Sequence, residues 1–321
     1  MSIFKYILKR IVQGIPIILI VSFISFFLIR LSPVDPLAQM RFNPAISKQT
    51  LEAEKIRLGL DKPIIVQYFI WGKNFIKGDM GKTTSGEDVG EKIKERTLNT
   101  LLLSLSVIFW TWFIGVPLGI FAALNYRSIF DKALTFLSSI GMAIPSFFFA
   151  ILLLIFAQKT GWFPIGGLTC PNFSQMNTWH KFLDIAHHLF LPTFVLTTIS
   201  LAGLARQVRS NLLDVLDSDY VKFAKAKGLP KRKVIIKHAL RNAINPLITL
   251  VGFEFAALLS GAALTEYVFQ YPGLGRLILE AVMKSDINLV MASLMIGSFM
   301  LIVGNILSDI LLKITDPRVR L

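Results

Sequence analysis

The stretch "DYVKFAKAKGLPKRKVIIKHALRNAINPL", Asp219–Leu247, carries Lys or Arg every few residues, yet an apolar run of bilayer length lies on each side of it. A transmembrane helix needs about 20 apolar residues, because each residue rises about 1.5 Å across a hydrocarbon core of about 30 Å. Six segments meet that requirement, near Ile11–Leu31, Leu98–Leu124, Ala133–Ala157, Leu189–Ala205, Pro246–Thr265 and Leu289–Leu312. The basic stretch is the loop between the fourth and fifth. The chain therefore reads as an all-α polytopic membrane protein with six transmembrane helices.

Composition agrees. Of 321 residues, 54% are hydrophobic and only 17% charged, against about a quarter in soluble domains. The net charge of +14 does not form a nucleic-acid groove, since apolar spans divide the basic residues into separate loops. Lys and Arg in short loops orient a membrane chain. Placing both termini in the cytoplasm puts Lys9, Arg10, Arg127, Lys132, Lys313 and the ten basic residues from Arg206 to Arg241 inside. The short outer loops then hold Lys159, Lys181, Arg276 and Lys284. The first apolar segment exceeds a secretory h-region and no A-x-A-like cleavage site follows it, so it is expected to stay as a helix. The resulting organisation is a tail and first helix at 1–31, an outer cap at 32–97 and a five-helix core at 98–321, with the basic loop at about 206–245. The cap shows helix punctuation: Gly59 closes "SKQTLEAEKIRL", and Pro63 opens a stretch ending before Gly78 that carries Phe69, Trp71 and Phe75.

Several motifs carry no chemistry. "GDMGKTT", Gly78–Thr84, resembles a phosphate loop, but G-x-x-x-x-G-K-[ST] requires Gly where this chain has Ile76, so it reads as a Gly-rich turn. Cys170, His180, His187 and His188 share an outer loop at spacings unsuited to one metal ion. A single cysteine cannot form an intrachain disulfide. No nucleophile and base, or carboxylate pair, can be placed together, so no catalytic, cofactor or metal site is expected. Ionisable residues within the spans are better leads, because each costs a few kcal/mol in lipid and turns toward protein or water. Glu254 lies near the middle of the fifth segment; Glu266 and Asp309 lie near segment ends, where packing roles are expected.

Within the opening stretch, helical spacing places Tyr220, Phe223 and Ala224 on one face, with Ala226 near the end. Gly228 supplies a left-handed stop and Pro230 opens the next helix, which carries His238 and the apolar residues Ile235, Ile236, Ala239, Leu240, Ala243 and Ile244. Two helices meeting at a Gly–Leu–Pro corner make a projecting knuckle suited to docking. A basic helix lying on lipid would need no such corner.

"YVKFAKAKGL…HALRNAINPL" resembles the cytoplasmic coupling loop of ABC-transporter permeases of the dipeptide, oligopeptide and nickel group. The resemblance extends through "PLGIFAA" at Pro117–Ala123, "AIPSFF" at Ala143–Phe148, "ARQVRSNLLDVL" at Ala205–Leu216, "EYVFQYPGLGRL" at Glu266–Leu277 and "DPRVR" at Asp316–Arg320. It implies a bacterial inner-membrane importer subunit, favoured for di- or oligopeptides, with nickel or another small solute as the alternative. It also implies two ATPase subunits that bind the ATP, a second permease, and an extracytoplasmic solute-binding protein. The family's loop opens with Glu-Ala-Ala where this chain has Lys222-Phe223-Ala224, and an uncharged residue is expected where Glu254 stands. Glu254 has two readings, a hydrogen-bonded packing residue or a pathway group that attracts a peptide ammonium. From another class, an ion-driven carrier with Glu254 as its cation site would call for inverted repeats, and none is visible.

Overall fold

The computed structural model describes residues 3–31, 37, 41, 47–57, 60–284 and 286–315. Gly59 and the Asp316–Arg320 motif lie outside them. The helices are α1 Ile3–Leu31, α2 Lys48–Arg57, α3 Ile64–Ile76, α4 Val89–Leu124, α5 Ile129–Ala143, α6 Ser146–Thr160, α7 Thr178–Leu216, α8 Asp219–Ala226, the single turn α9 Lys231–Lys233, α10 Arg241–Gly261, α11 Ala263–Val268, α12 Leu274–Met283 and α13 Ile287–Thr315. A π-helix, Val234–Leu240, joins α9 to α10. Among the described residues the fold is all-helical apart from turns and one antiparallel bridge, Lys82 to Asp88.

By length and composition α1, α4, α7 and α13 are each able to cross a membrane, and the pair α5 and α6 adds a fifth crossing if it is one broken span. The third segment was expected as one continuous helix. Instead its halves meet at 95°. Pro145 lacks the N–H that would continue α5, and it pushes Ile144 into an extended conformation at φ −84°, ψ 122°.

The long helices outrun their apolar segments. α4 starts at Val89, not near Leu98, because Asp88 accepts from the Glu91 N–H at 3.0 Å and caps it. Hydropathy is blind to the charged turns "EKIKER" that follow. At 39 residues, α7 is about 58 Å long, roughly twice the hydrocarbon thickness, so its ends project into water.

The bundle is built on α4 against α7. A Cβ added at Gly119 of α4 would lie 2.6 Å from the Ala205 carbonyl oxygen and from Val208 of α7, so the crossing admits no side chain there. α13 packs between α1 and α10. Arg10 of α1 reaches Asp309 of α13 at 2.9 Å and donates to the Tyr6 hydroxyl at 2.7 Å.

On the other side, α3 lies on α1 through aromatic contacts. Tyr68 and Trp71 meet Phe26 at 5.6 and 5.9 Å between ring centroids, and Phe75 follows Trp71 at 5.4 Å. Phe69 stays exposed. Trp71 and Phe75 thus join the α1–α3 aromatic cluster.

The Gly78–Thr84 stretch is a turn. Gly78, Gly81 and Gly86 all have positive φ. Thr84 donates its N–H to Asp286 at 2.8 Å, and Asp286 accepts the Leu289 N–H at 3.1 Å at the start of α13. One carboxylate thereby fastens this turn to the last helix.

Candidate functional site

The knuckle forms at the ends of α4 and α7. Ser218 precedes α8, whose Val221 is fully buried and Ala224 6% exposed. They pack with Ala123 of α4, Leu212 of α7, Val234 and Ala239 of the π-helix, and Ala243 of α10. Burying Val221 alone stabilises this seat by about 1.5–3 kcal/mol. Tyr220 and Phe223 point outward at 45% and 62% exposure. Ala224 therefore does not share the face of Tyr220 and Phe223 that helical spacing suggested; it belongs to the inner face with Val221.

Gly228 adopts φ +75° with open space where a Cβ would sit, so backbone conformation alone restricts that position. Pro230 precedes α9 in an extended conformation, as the corner requires. Ala226 is exposed. Lys227 places its ammonium 4.7 Å from the Phe223 ring centroid, which steadies the exposed ring. Lys222 pairs with Asp217 at 2.9 Å, and that hydrogen bond holds the Asp217 carboxyl below the ordinary aspartate range. Both groups are solvent-exposed, so the pair adds little stability.

His238 lies within the π-helix and is half-buried. Its carbonyl accepts from Asn242 Nδ2 at 2.9 Å, and the same amide reaches the Tyr220 hydroxyl at 3.2 Å. Helix-period spacing had grouped Ile235, Ile236 and Ala239. The π-helix changes that face: its bonds span five residues, so Val234 and Ala239 both turn inward while Ile236 is 53% exposed. The sequence contains no mark of this wider turn.

Glu254 sits on α10 and accepts from Trp112 Nε1 of α4 at 2.8 Å. It also lines an open cavity of about 490 Å³ with Leu250, Gly203, Leu204, Arg206 and Gln207, a volume in the range of small-molecule sites. One carboxylate thus holds two helices together and faces open space.

Glu266 is fully buried in a latch that sequence reasoning did not find. Thr100 of α4 donates its hydroxyl to Glu266 at 2.8 Å and accepts the Leu274 N–H at 2.7 Å. The Arg276 N–H binds the other carboxylate oxygen at 2.9 Å. Beside it, the Tyr271 hydroxyl donates to the Asn99 carbonyl at 2.7 Å, and Asn99 Nδ2 donates to the Pro272 carbonyl at 2.8 Å. A Cβ at Gly273 would lie 2.3 Å from the Glu266 carboxylate, which explains a glycine in "YPGLGR". Burial pushes the Glu266 carboxyl above the ordinary glutamate range, and the donors from Arg276 and Thr100 oppose that rise.

His187 and His188 lie edge to face at 6.5 Å between ring centroids, but each bonds a different carbonyl. His187 donates to the Trp162 carbonyl and His188 to the Asp184 carbonyl, each at 2.8 Å. Among the described residues, no three His, Cys, Asp or Glu side chains are placed to hold a metal ion.

Long apolar helices with a short amphipathic helix packed across their ends define a polytopic membrane protein. The chain belongs to the family of binding-protein-dependent transport system inner membrane components: residues 115–321 match that family, and residues 3–90 match its N-terminal membrane component. It is a multi-pass inner-membrane permease subunit. Its relatives include the oligopeptide transport system permease protein AppB of Bacillus subtilis (strain 168), 39% identical over 98% of both chains. The di/tripeptide transport system permease protein DppB of Pseudomonas aeruginosa (strain UCBPP-PA14) and a putative peptide transport system permease protein of Brucella abortus (strain 2308) are each 36% identical, again over 98% of both chains.

Proposed function

We propose that this chain is the permease subunit of an ATP-driven importer of di- or oligopeptides, crossing the membrane six times with both termini in the cytoplasm. α10 supplies the sixth span, and residues 32–97 form the outer cap. A second permease completes the pathway, a solute-binding protein delivers peptide from outside, and two ATPase subunits dock on the knuckle and bind the ATP.

The observation that carries this reading is the seating of α8. Its inner face is locked to α4, α7 and α10, while Tyr220 and Phe223 face outward. A partner that moves the outer face moves the spanning helices with it, which switches access without a nucleotide site in this chain. The names of the relatives support peptide as the substrate class. Glu254 fits a pathway role, since its carboxylate faces the cavity and suits a peptide ammonium group.

The test is ATP-driven uptake by the complex in proteoliposomes, comparing free-amine peptides with amine-blocked analogues. Glu254→Gln keeps the shape and the Trp112 contact but removes charge. Uptake of free-amine peptides should fall by about tenfold relative to blocked ones, the effect of losing about 1.4 kcal/mol of ionic attraction. Equal loss for both substrates, with assembly intact, would leave Glu254 a packing residue. No uptake of any peptide by the assembled parent complex would overturn the substrate class.

A further inference from the structure

A second open cavity, of about 520 Å³, lies where α4 turns into α5, lined by Tyr126, Arg127, Asp131, Lys132, Thr135 and Arg209 among others. Three of these side chains are cationic and one is anionic. The anion is already engaged: Asp131 forms a two-point ion pair with Arg209, one bond at 2.9 Å, and accepts the Arg127 N–H at 2.9 Å. Among the described residues, neither the Arg127 guanidinium nor the Lys132 ammonium has a carboxylate partner. Arg127 and Arg209 both stand over the Tyr126 ring, at 5.2 and 5.5 Å from its centroid. Two guanidinium groups therefore gather at one ring with a lysine beside them, and a single carboxylate does not balance them.

The flank of this cavity is apolar. Ile129, Phe136, Leu137 and Ile140 are exposed on α5, at spacings that form one stripe running away from the basic residues. Phe136 is both part of the cavity wall and part of the stripe. A nucleotide or free phosphate would use only the charged end. An anionic phospholipid uses both, its phosphate at the cations and its acyl chains along the stripe.

We propose that this cavity binds a phosphate group, and that an anionic phospholipid headgroup supplies it. The planar forks of Arg127 and Arg209 suit phosphate oxygens, with Lys132 adding a point charge. Basic pockets beside spanning helices favour anionic headgroups, and each cation near the membrane surface strengthens attraction severalfold. In the proposed orientation the site lies in the cytoplasmic leaflet. Arg209 also keeps Asp131 paired, so Arg127 and Lys132 are the residues to alter.

The experiment uses the full chain with the subunits that co-purify with it, in nanodiscs of phosphatidylcholine alone or containing phosphatidylglycerol. Native mass spectrometry then counts the lipids retained. The parent should retain phosphatidylglycerol in preference to phosphatidylcholine. The double variant Arg127→Gln, Lys132→Gln should lose that preference by about tenfold, and Lys132→Gln alone by about threefold. Equal phosphatidylglycerol retention by parent and Lys132→Gln would overturn the site, and this arm remains decisive if the double variant does not assemble. Displacement of the lipid by excess inorganic phosphate would overturn the lipid source in favour of a free anion, whereas retention under that challenge supports the headgroup.

Discussion

Gly228→Val is expected to lower ATP-driven transport by about tenfold or more while leaving membrane insertion and subunit assembly intact. Gly228 holds φ +75°, and nothing lies within 4 Å of the place where a Cβ would stand. The penalty is therefore torsional, with no clash to relieve. A β-branched residue in the left-handed region costs about 1–2 kcal/mol, and each 1.4 kcal/mol is about a tenfold change in the population of the corner. Phe223 and Tyr220 then lose their fixed relation to α9 and the π-helix. Gly228→Asn is the control, since Asn tolerates this conformation, and it should transport within about threefold of the parent. Parental transport by Gly228→Val would show that the corner carries no coupling.

The second large effect is expected at Glu266. Glu266→Ala leaves the Thr100 hydroxyl and the Arg276 N–H buried without an acceptor, and opens a void against Gly273. Each stranded donor costs about 1–3 kcal/mol. The detergent-solubilised complex should lose roughly 3 °C or more in thermal midpoint, since about 1 kcal/mol moves a domain of about 150–250 residues by about 2–4 °C and a longer chain by less. Protease should also begin to cut between α11 and α12, whose connection the latch holds. A midpoint within about 1 °C of the parent would mean that the Glu266 bonds contribute almost nothing. The effect is local to the Glu266 latch, so it separates structural loss from the coupling defect at Gly228.

The helical class and the Gly–Pro corner were legible in the sequence because both rest on short-range rules: apolar length for the spans, and φ preference for Gly228 and Pro230. The interior of α8 was half legible. Spacing marked it as amphipathic, but the inner face turned on Val221, and Ala224 went with it. The break at Ile144–Pro145 was present in the sequence as a proline, though an apolar run long enough for a span masked it. Other features had no local signature. Glu266 and Thr100 are 166 positions apart, Arg209 and Asp131 78 apart, and a residue's periodicity does not name its partner on another helix. The π-helix is equally silent, since the same residues are compatible with α-helical bonding until tertiary packing selects the wider turn.

In the proposed mechanism ATP-driven motion enters this chain through the α8 knuckle, and site-directed cross-linking from Ala226 would capture the subunit that delivers it. Ala226 is exposed at the end of α8. With Cys170 replaced by Ser, Ala226→Cys supplies the single thiol of this chain, to which a short bifunctional reagent can attach. A covalent product joining this chain to an ATPase subunit is expected, with a yield that changes when ATP is bound. Reproducible absence of that product in a complex shown to contain the ATPase would contradict docking at α8 and place the contact elsewhere on the chain.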